Sequence, residues 1–183
     1  MVKITGYHGT HRKNASSIST TGFQSSKEDE YLGAGVYFFE DAEFGKGIDE
    51  AICFCRFVRF IDRCDIVVFR ANVESTKVLD LVSNIEHRKL FDEAKNRLRL
   101  ALKSTKNVDS KVEDYRIFNL IDRDKSFEVI RAIIEAAREE KEVFSYIIRR
   151  PQIQICVKTN KIIKDITIAW RPSVGRYEEW TTG

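Results

Sequence analysis

Long apolar runs and prolines are the first things this sequence lacks. No stretch approaches the roughly 20 consecutive apolar residues that a membrane-spanning helix needs, and the opening Met-Val-Lys-Ile-Thr-Gly-Tyr-His has neither the apolar core nor the small-residue cleavage site of a secretory signal. The expectation is a cytoplasmic protein without membrane attachment. Only two prolines punctuate 183 residues, and no internal repeat or low-complexity segment stands out. The four cysteines, Cys53, Cys55, Cys64 and Cys156, make no Cys-x-x-Cys pair and no Cys/His set with zinc spacing, which argues against disulfides and against a metal. They read as buried small hydrophobes in a reducing compartment. An excess of either charge is also missing: 31 basic and 28 acidic side chains leave a net charge of +3, which permits attraction to phosphates without requiring it. Two phosphate-binding motifs fail as well. Gly33-Ala34-Gly35 lacks the third glycine of the dinucleotide fingerprint and precedes a strand-like run, and no Gly-Lys-Ser/Thr follows any glycine-rich loop.

What is present fits one domain over residues 1–183. Residues 2–7 alternate weakly and predict a short strand ending at a turn over His8-Gly9-Thr10. Asn14 offers a cap to a short helix that Gly22-Phe23 closes. Residues 36–39 are aromatic and β-branched, hence a strand, and Ile48 to Phe60 carries apolar residues at helical spacing behind Asp41, Asp49 and Glu50. Asp41 and Glu43 read as helix capping rather than acid–base chemistry. Strands are expected at 64–73, 77–82, 152–158 and 162–170, and helices at 85–102 and 127–138. Strands at both ends with helices grouped between them predict an α+β fold with a mixed or mostly antiparallel sheet and a helical insertion at about 83–145.

Three separated pieces carry the chemistry: Tyr7-His8-Gly9-Thr10, then Tyr31-Leu32-Gly33-Ala34-Gly35-Val36-Tyr37-Phe38, then Gln152-Ile153-Gln154-Ile155-Cys156-Val157. In content and order they resemble the diphtheria-toxin and poly(ADP-ribose)-polymerase branch of the ADP-ribosyltransferases, whose three catalytic strands carry a His, a Tyr and usually a Glu. The resemblance covers both ends of the chain and omits roughly residues 83–145. It implies an ADP-ribosyltransferase-like split sheet and NAD⁺ as substrate. It also implies roles: His8 on the adenosine ribose, the Gly9 backbone on the nicotinamide carboxamide and Tyr37 stacked on the nicotinamide ring. Thr10, Tyr31, Gly35 and Gln152 complete the implied NAD-contacting set, and Gln154 stands at the catalytic position. Imidazole brings one donor and one acceptor to a ribose hydroxyl pair, and a phenol ring offers a flat face to a cationic ring.

The chain departs from the family at that catalytic position, where Gln154 replaces the usual glutamate. Gln152 and Gln154 share a strand face. A glutamine can hold a ribose hydroxyl, but it neither accepts a proton nor places negative charge beside an oxocarbenium ion. Two readings follow: a mono-ADP-ribosyltransferase whose acceptor needs no general base, or an NAD- or ADP-ribose-binding module without transfer. An NAD glycohydrolase is the third outcome. Related transferases with Gln two residues before Glu modify nucleic-acid bases, so Gln152 tilts the acceptor toward nucleic acid over protein, as does the basic face of Arg88, Lys95 and Arg99. A simpler reading makes that face the solvated side of a helix. His11 and Arg12 could meet the NAD⁺ phosphates, while Glu178 and Glu179 lie outside the strand that the family uses for its carboxylate. A toxin or phage-defence role, with a neutralising antitoxin as partner, is what small transferases of this type suggest.

Overall fold

The computed structural model describes residues 1–104, 114–135 and 151–172. The strands are β1 (Val2–His11), β2 (Val36–Glu40), β3 (Ile66–Ser75), β4 (Val78–Asp80), β5 (Val129–Glu135), β6 (Pro151–Val157) and β7 (Ile163–Trp170), with helices α1 (Ala15–Thr21), α2 (Gly47–Phe57), α3 (Ile85–Ser104) and α4 (Asp114–Asp124). The strands form one sheet in the order β4-β5-β6-β2-β1-β3-β7. Pairing is antiparallel except between β4 and β5. The fold is therefore α+β with a mixed sheet. Among the described residues no helix is long and apolar enough to cross a membrane.

Side chains alternate across the strands and sort into three apolar clusters. Ile4, Phe38, Phe69, Val73, Val129, Ile155 and Val157 lie on one side with Ile18 and Phe23. On the other side Cys156, Ile130 and Ala132 pack with Ile117, Phe118 and Ile121 of α4 and Ala94 of α3. Phe39, Val68 and Ile66 meet Ala51 and Cys55 of α2. Helix α2 starts at a glycine for a steric reason: a Cβ on Gly47 would lie 2.7 Å from both the Phe39 carbonyl oxygen and the Tyr7 ring. Asp41 caps the helix from six residues upstream, its Oδ1 accepting from the Gly47 N–H at 2.8 Å.

Three sequence expectations are corrected. First, β1 is ten residues long and contains His8, Gly9 and Thr10, because β3 pairs with it at every position from Val2 to His11. Second, the helix expected from Phe127 to Arg138 is instead β5, up to Glu135; Arg138 lies outside the described residues. Its β-branched residues Val129, Ile130, Ile133 and Ile134 mimic helical spacing, but a strand bonded on both edges keeps apolar residues on both faces and need not alternate. Third, the block at 83–145 is not wholly helical, since beside α3 and α4 it supplies β5, the second strand of the sheet; of this block, residues 105–113 and 136–145 lie outside the described residues. The helices expected at 85–102 and 48–60 are present as α3 and as α2, which stops at Phe57. The four cysteines form no disulfide; Cys55 and Cys156 are buried, Cys53 half-buried and Cys64 exposed, so the last is no core residue.

Arg131 ties three strands together. Its Nε and Nη2 donate to Glu40 of β2 at 2.6 and 3.1 Å, and its Nη1 to Asp80 of β4 at 3.1 Å. Asp80 Oδ1 also accepts from the Val82 and Ser83 N–H groups. Burial pushes the Asp80 carboxyl up, but those hydrogen bonds with the Ser83 hydroxyl and the Arg131 charge outweigh it and hold the group below its ordinary value.

Candidate active site

Strands β1 and β2 are in register only at Tyr7 and Phe39. They touch closely just there: a Cβ on Gly6 would sit 2.6 Å from that of Phe38. Beyond this crossing the strands part, and a cleft of about 1170 Å³ opens between them, with α1, the loop before β2 and the turn after α2 as its other walls. Its volume lies somewhat above the range of about 300–1,000 Å³ typical of ligand sites.

His8, Gly9, Thr10, Tyr31, Gly35, Tyr37 and Gln154 all line this cleft. The half-buried His8 packs edge-on against Phe23 and Phe38, with ring centroids 4.9 and 5.8 Å away. Its Nδ1 lies 2.8 Å from the Tyr37 carbonyl oxygen, and since a carbonyl only accepts, Nδ1 carries the proton. Burial pulls the His8 pKa below its ordinary value despite this hydrogen bond, and the nearby Arg59 charge lowers it further. The ring is thus neutral at pH 7, with Nε2 as an acceptor.

Tyr37 is the second residue of β2. Its hydroxyl donates to the Gly33 carbonyl at 2.8 Å and accepts from the Leu32 N–H at 3.0 Å. The glycine turn before β2 exists for this contact: Gly33 has a φ of +80°, a conformation that side chains disfavour. Gly35 serves differently, because a Cβ there would be 2.5 Å from the Cys156 Sγ and 2.8 Å from the Val157 carbonyl oxygen. The Tyr31 ring meets that of Tyr37 edge-on at 5.2 Å, and its hydroxyl donates to the Gln154 Oε1. Burial raises both phenols above their ordinary value, so both remain donors at neutral pH. Burial also pushes the Cys156 thiol up to about 11, which leaves it no nucleophile.

Gln154 is 2% exposed and reaches the cleft from β6, opposite Phe39 of β2. Gln152 is also buried, so neither glutamine is an exposed strand position, but it is not among the residues that line the cleft. The nucleic-acid tilt therefore loses the geometric support of Gln152. Thr10 accepts through its Oγ1 from Asn14 Nδ2, so Asn14 makes no side-chain cap to α1. Gly9 has its outer side against α2, where a Cβ would lie 2.5 Å from the Ala51 carbonyl oxygen.

His11 lines the cleft, whereas Arg12 does not and pairs through its Nε with the lining residue Asp65 at 2.7 Å. Arg88 on α3 spends its guanidinium on the Leu81 and Val82 carbonyls. Lys95 and Arg99 are exposed but not at the cleft. Glu178 and Glu179 lie outside the described residues.

Sequence reasoning missed Phe54 on α2 and Arg59 and Phe60 just beyond it, which line one wall of the cleft. Their signal was faint: Arg59 and Phe60 read as the last turn of a helix that in fact stops at Phe57. Among the described residues no group of three or more His, Cys, Asp or Glu is placed to hold a metal ion.

No family model matches the chain. It is similar to an uncharacterized protein of Methanocaldococcus jannaschii, 28% identical over 192 aligned positions that cover 90% of this chain and 86% of that one. No solved structure matches.

Proposed function

We propose that the cleft binds NAD⁺ and that the protein is a mono-ADP-ribosyltransferase acting on a macromolecular acceptor, nucleic acid or protein. The observation that carries this reading is the meeting of His8, Tyr37 and Gln154 around one cleft from three separate strands. The neutral His8 would take a ribose hydroxyl at Nε2, the Tyr37 ring would face the nicotinamide, and Gln154 would hold the neighbouring ribose through its Nε2 hydrogens while Tyr31 occupies its Oε1.

In the reaction the bond between the nicotinamide nitrogen and the ribose anomeric carbon breaks, and nicotinamide departs neutral with the bonding pair. A lone pair of the acceptor then forms the new bond to that carbon. The acceptor loses its proton to water or to a base of its own, since an amide at position 154 cannot take it. Holding the dinucleotide and aligning the attack supply the rate enhancement.

Purified protein incubated with NAD⁺ labelled in its adenylate part, together with RNA, DNA or lysate protein, tests the reading. Label in one acceptor fraction supports it, and free nicotinamide without labelled acceptor makes the protein an NAD glycohydrolase. The second reading, NAD⁺ or ADP-ribose binding without turnover, is favoured by the missing carboxylate at Gln154. It predicts saturable binding with every fraction unlabelled.

A further inference from the structure

At the mouth of the cleft one residue breaks two local rules together. Phe60 is 86% exposed, and its φ is +52°, in the left-handed region where glycine or asparagine ordinarily ends a helix. The backbone around it is fixed. The Arg59 N–H bonds to the Phe54 carbonyl at 3.2 Å and the Ile61 N–H to the Cys55 carbonyl at 2.9 Å, while the Ile61 side chain packs against the core beneath α2. The ring is thus held out on a rigid turn. A glycine would relieve the backbone, and a polar side chain would suit the exposure.

Its neighbours define what it could hold. Arg59 shares the same lip, stacked over the Phe54 ring at 5.5 Å, with its nearest carboxylate, Glu30, 4.0 Å away. Lys13, Asn14 and Ser17 line the same cleft. A flat apolar face, a guanidinium beside it, and a further cation and hydrogen-bonding groups in the same cleft suit a planar base on a phosphate backbone. Asp62 and Glu30 at the same rim oppose an anionic membrane surface.

We propose that Phe60 and Arg59 form the acceptor subsite of this cleft and that Phe60 stacks an unpaired nucleobase of a single-stranded nucleic acid. This rests on the proposed transfer reaction only in calling the occupant an acceptor. A base inside a duplex presents no free face, so single strands bind and duplexes do not. Stacking accepts any base, so the preference among sequences is weak.

The test is fluorescence anisotropy with labelled single-stranded RNA and DNA oligonucleotides and the matching duplexes, with and without NAD⁺, on wild type, Phe60→Gly and Phe60→Trp. Wild type is expected to bind single strands in preference to duplex. Phe60→Gly weakens that binding about tenfold or more, while its thermal unfolding midpoint equals or exceeds that of wild type, and Phe60→Trp restores binding. Equal affinity of wild type and Phe60→Gly, equal affinity for duplex, or no binding of nucleic acid under either condition overturns the proposal. Stacking lost in Phe60→Gly together with no NAD⁺ turnover by wild type sinks the transfer reaction and leaves the subsite standing; turnover with unchanged Phe60→Gly binding does the reverse.

Discussion

The hydroxyl of Tyr31 donates to the Oε1 of Gln154, joining the loop before β2 to a strand 123 residues further along the chain. The bond orients a buried amide. With Oε1 engaged, the two Nε2 hydrogens are the part of Gln154 left for a ligand. Tyr31→Phe removes this constraint and little else, since the ring stays packed on Tyr37. NAD⁺ turnover should fall about fivefold to tenfold in Tyr31→Phe and further in Gln154→Ala. The double variant should be no worse than Gln154→Ala alone, because both changes remove one interaction. Additive losses in steady-state kinetics would contradict the positioning role.

Gln154→Glu keeps the hydrogen bond from Tyr31 and adds a charge that can stabilise an oxocarbenium ion and take the acceptor proton. Turnover is expected to rise about 100-fold, the lower range for a placed general base. Nicotinamide release measured at saturating NAD⁺ checks this. An unchanged or lower rate would place position 154 away from the anomeric carbon.

The neutral imidazole of His8 has a consequence for stability. Its folded pKa is lowered, chiefly by burial, so between that value and the ordinary 6.5 the unfolded chain binds the extra proton. Its contribution is complete above 6.5 and is lost as pH falls through the folded value. Urea unfolding of wild type should weaken on acidification below 6.5, and His8→Phe should flatten part of that slope. Nitrogen-15 NMR should find a protonated Nδ1 and a bare Nε2 at pH 7.

Gly35 is a packing requirement. Gly35→Ala forces a methyl group into the Cys156 Sγ and the Val157 carbonyl, and the loss should be about 1–3 kcal/mol in chemical denaturation. A stability equal to wild type would mean that β2 and β6 separate easily.

Arg131 neutralises Glu40 and Asp80 while their side chains are only about one-fifth exposed. Arg131→Met should destabilise the protein by about 2 kcal/mol or more at pH 7, since two carboxylates lose their counter-charge. The lowered folded pKa of Asp80 makes its contribution present above the ordinary 3.8 and lost as pH falls below it. The difference from wild type should therefore narrow in acid, as denaturation at pH 7 and pH 3.5 will test.

Much of the architecture was legible because local signals and tertiary demands agree. The aromatic run of β2, the strands β6 and β7, which lie apart in the sheet, and the helix behind Asp41 are examples. Where they disagree the reading failed. Strand β5 looks helical because Val129, Ile130, Ile133 and Ile134 fall at spacings that suit either structure, and only its neighbours β4 and β6 decide. The extent of β1 was hidden for the same reason, since pairing with β3 carries the strand through Gly9. Of the cleft, His8, Tyr37 and Gln154 were marked by the resemblance of their three motifs, in content and order, to the ADP-ribosyltransferases. Arg59 and Phe60 were not, because a helix end without glycine leaves no trace in composition.

The measurement closest to the central claim is calorimetric titration of NAD⁺ into wild type and into His8→Phe, which keeps the packing against Phe23 but removes the ring nitrogens. Wild type should bind at one site with a dissociation constant between about 1 μM and 1 mM, and the folded variant at least about tenfold more weakly. Absence of saturable binding to wild type, or equal binding by the two proteins, would contradict the assignment of this cleft to NAD⁺.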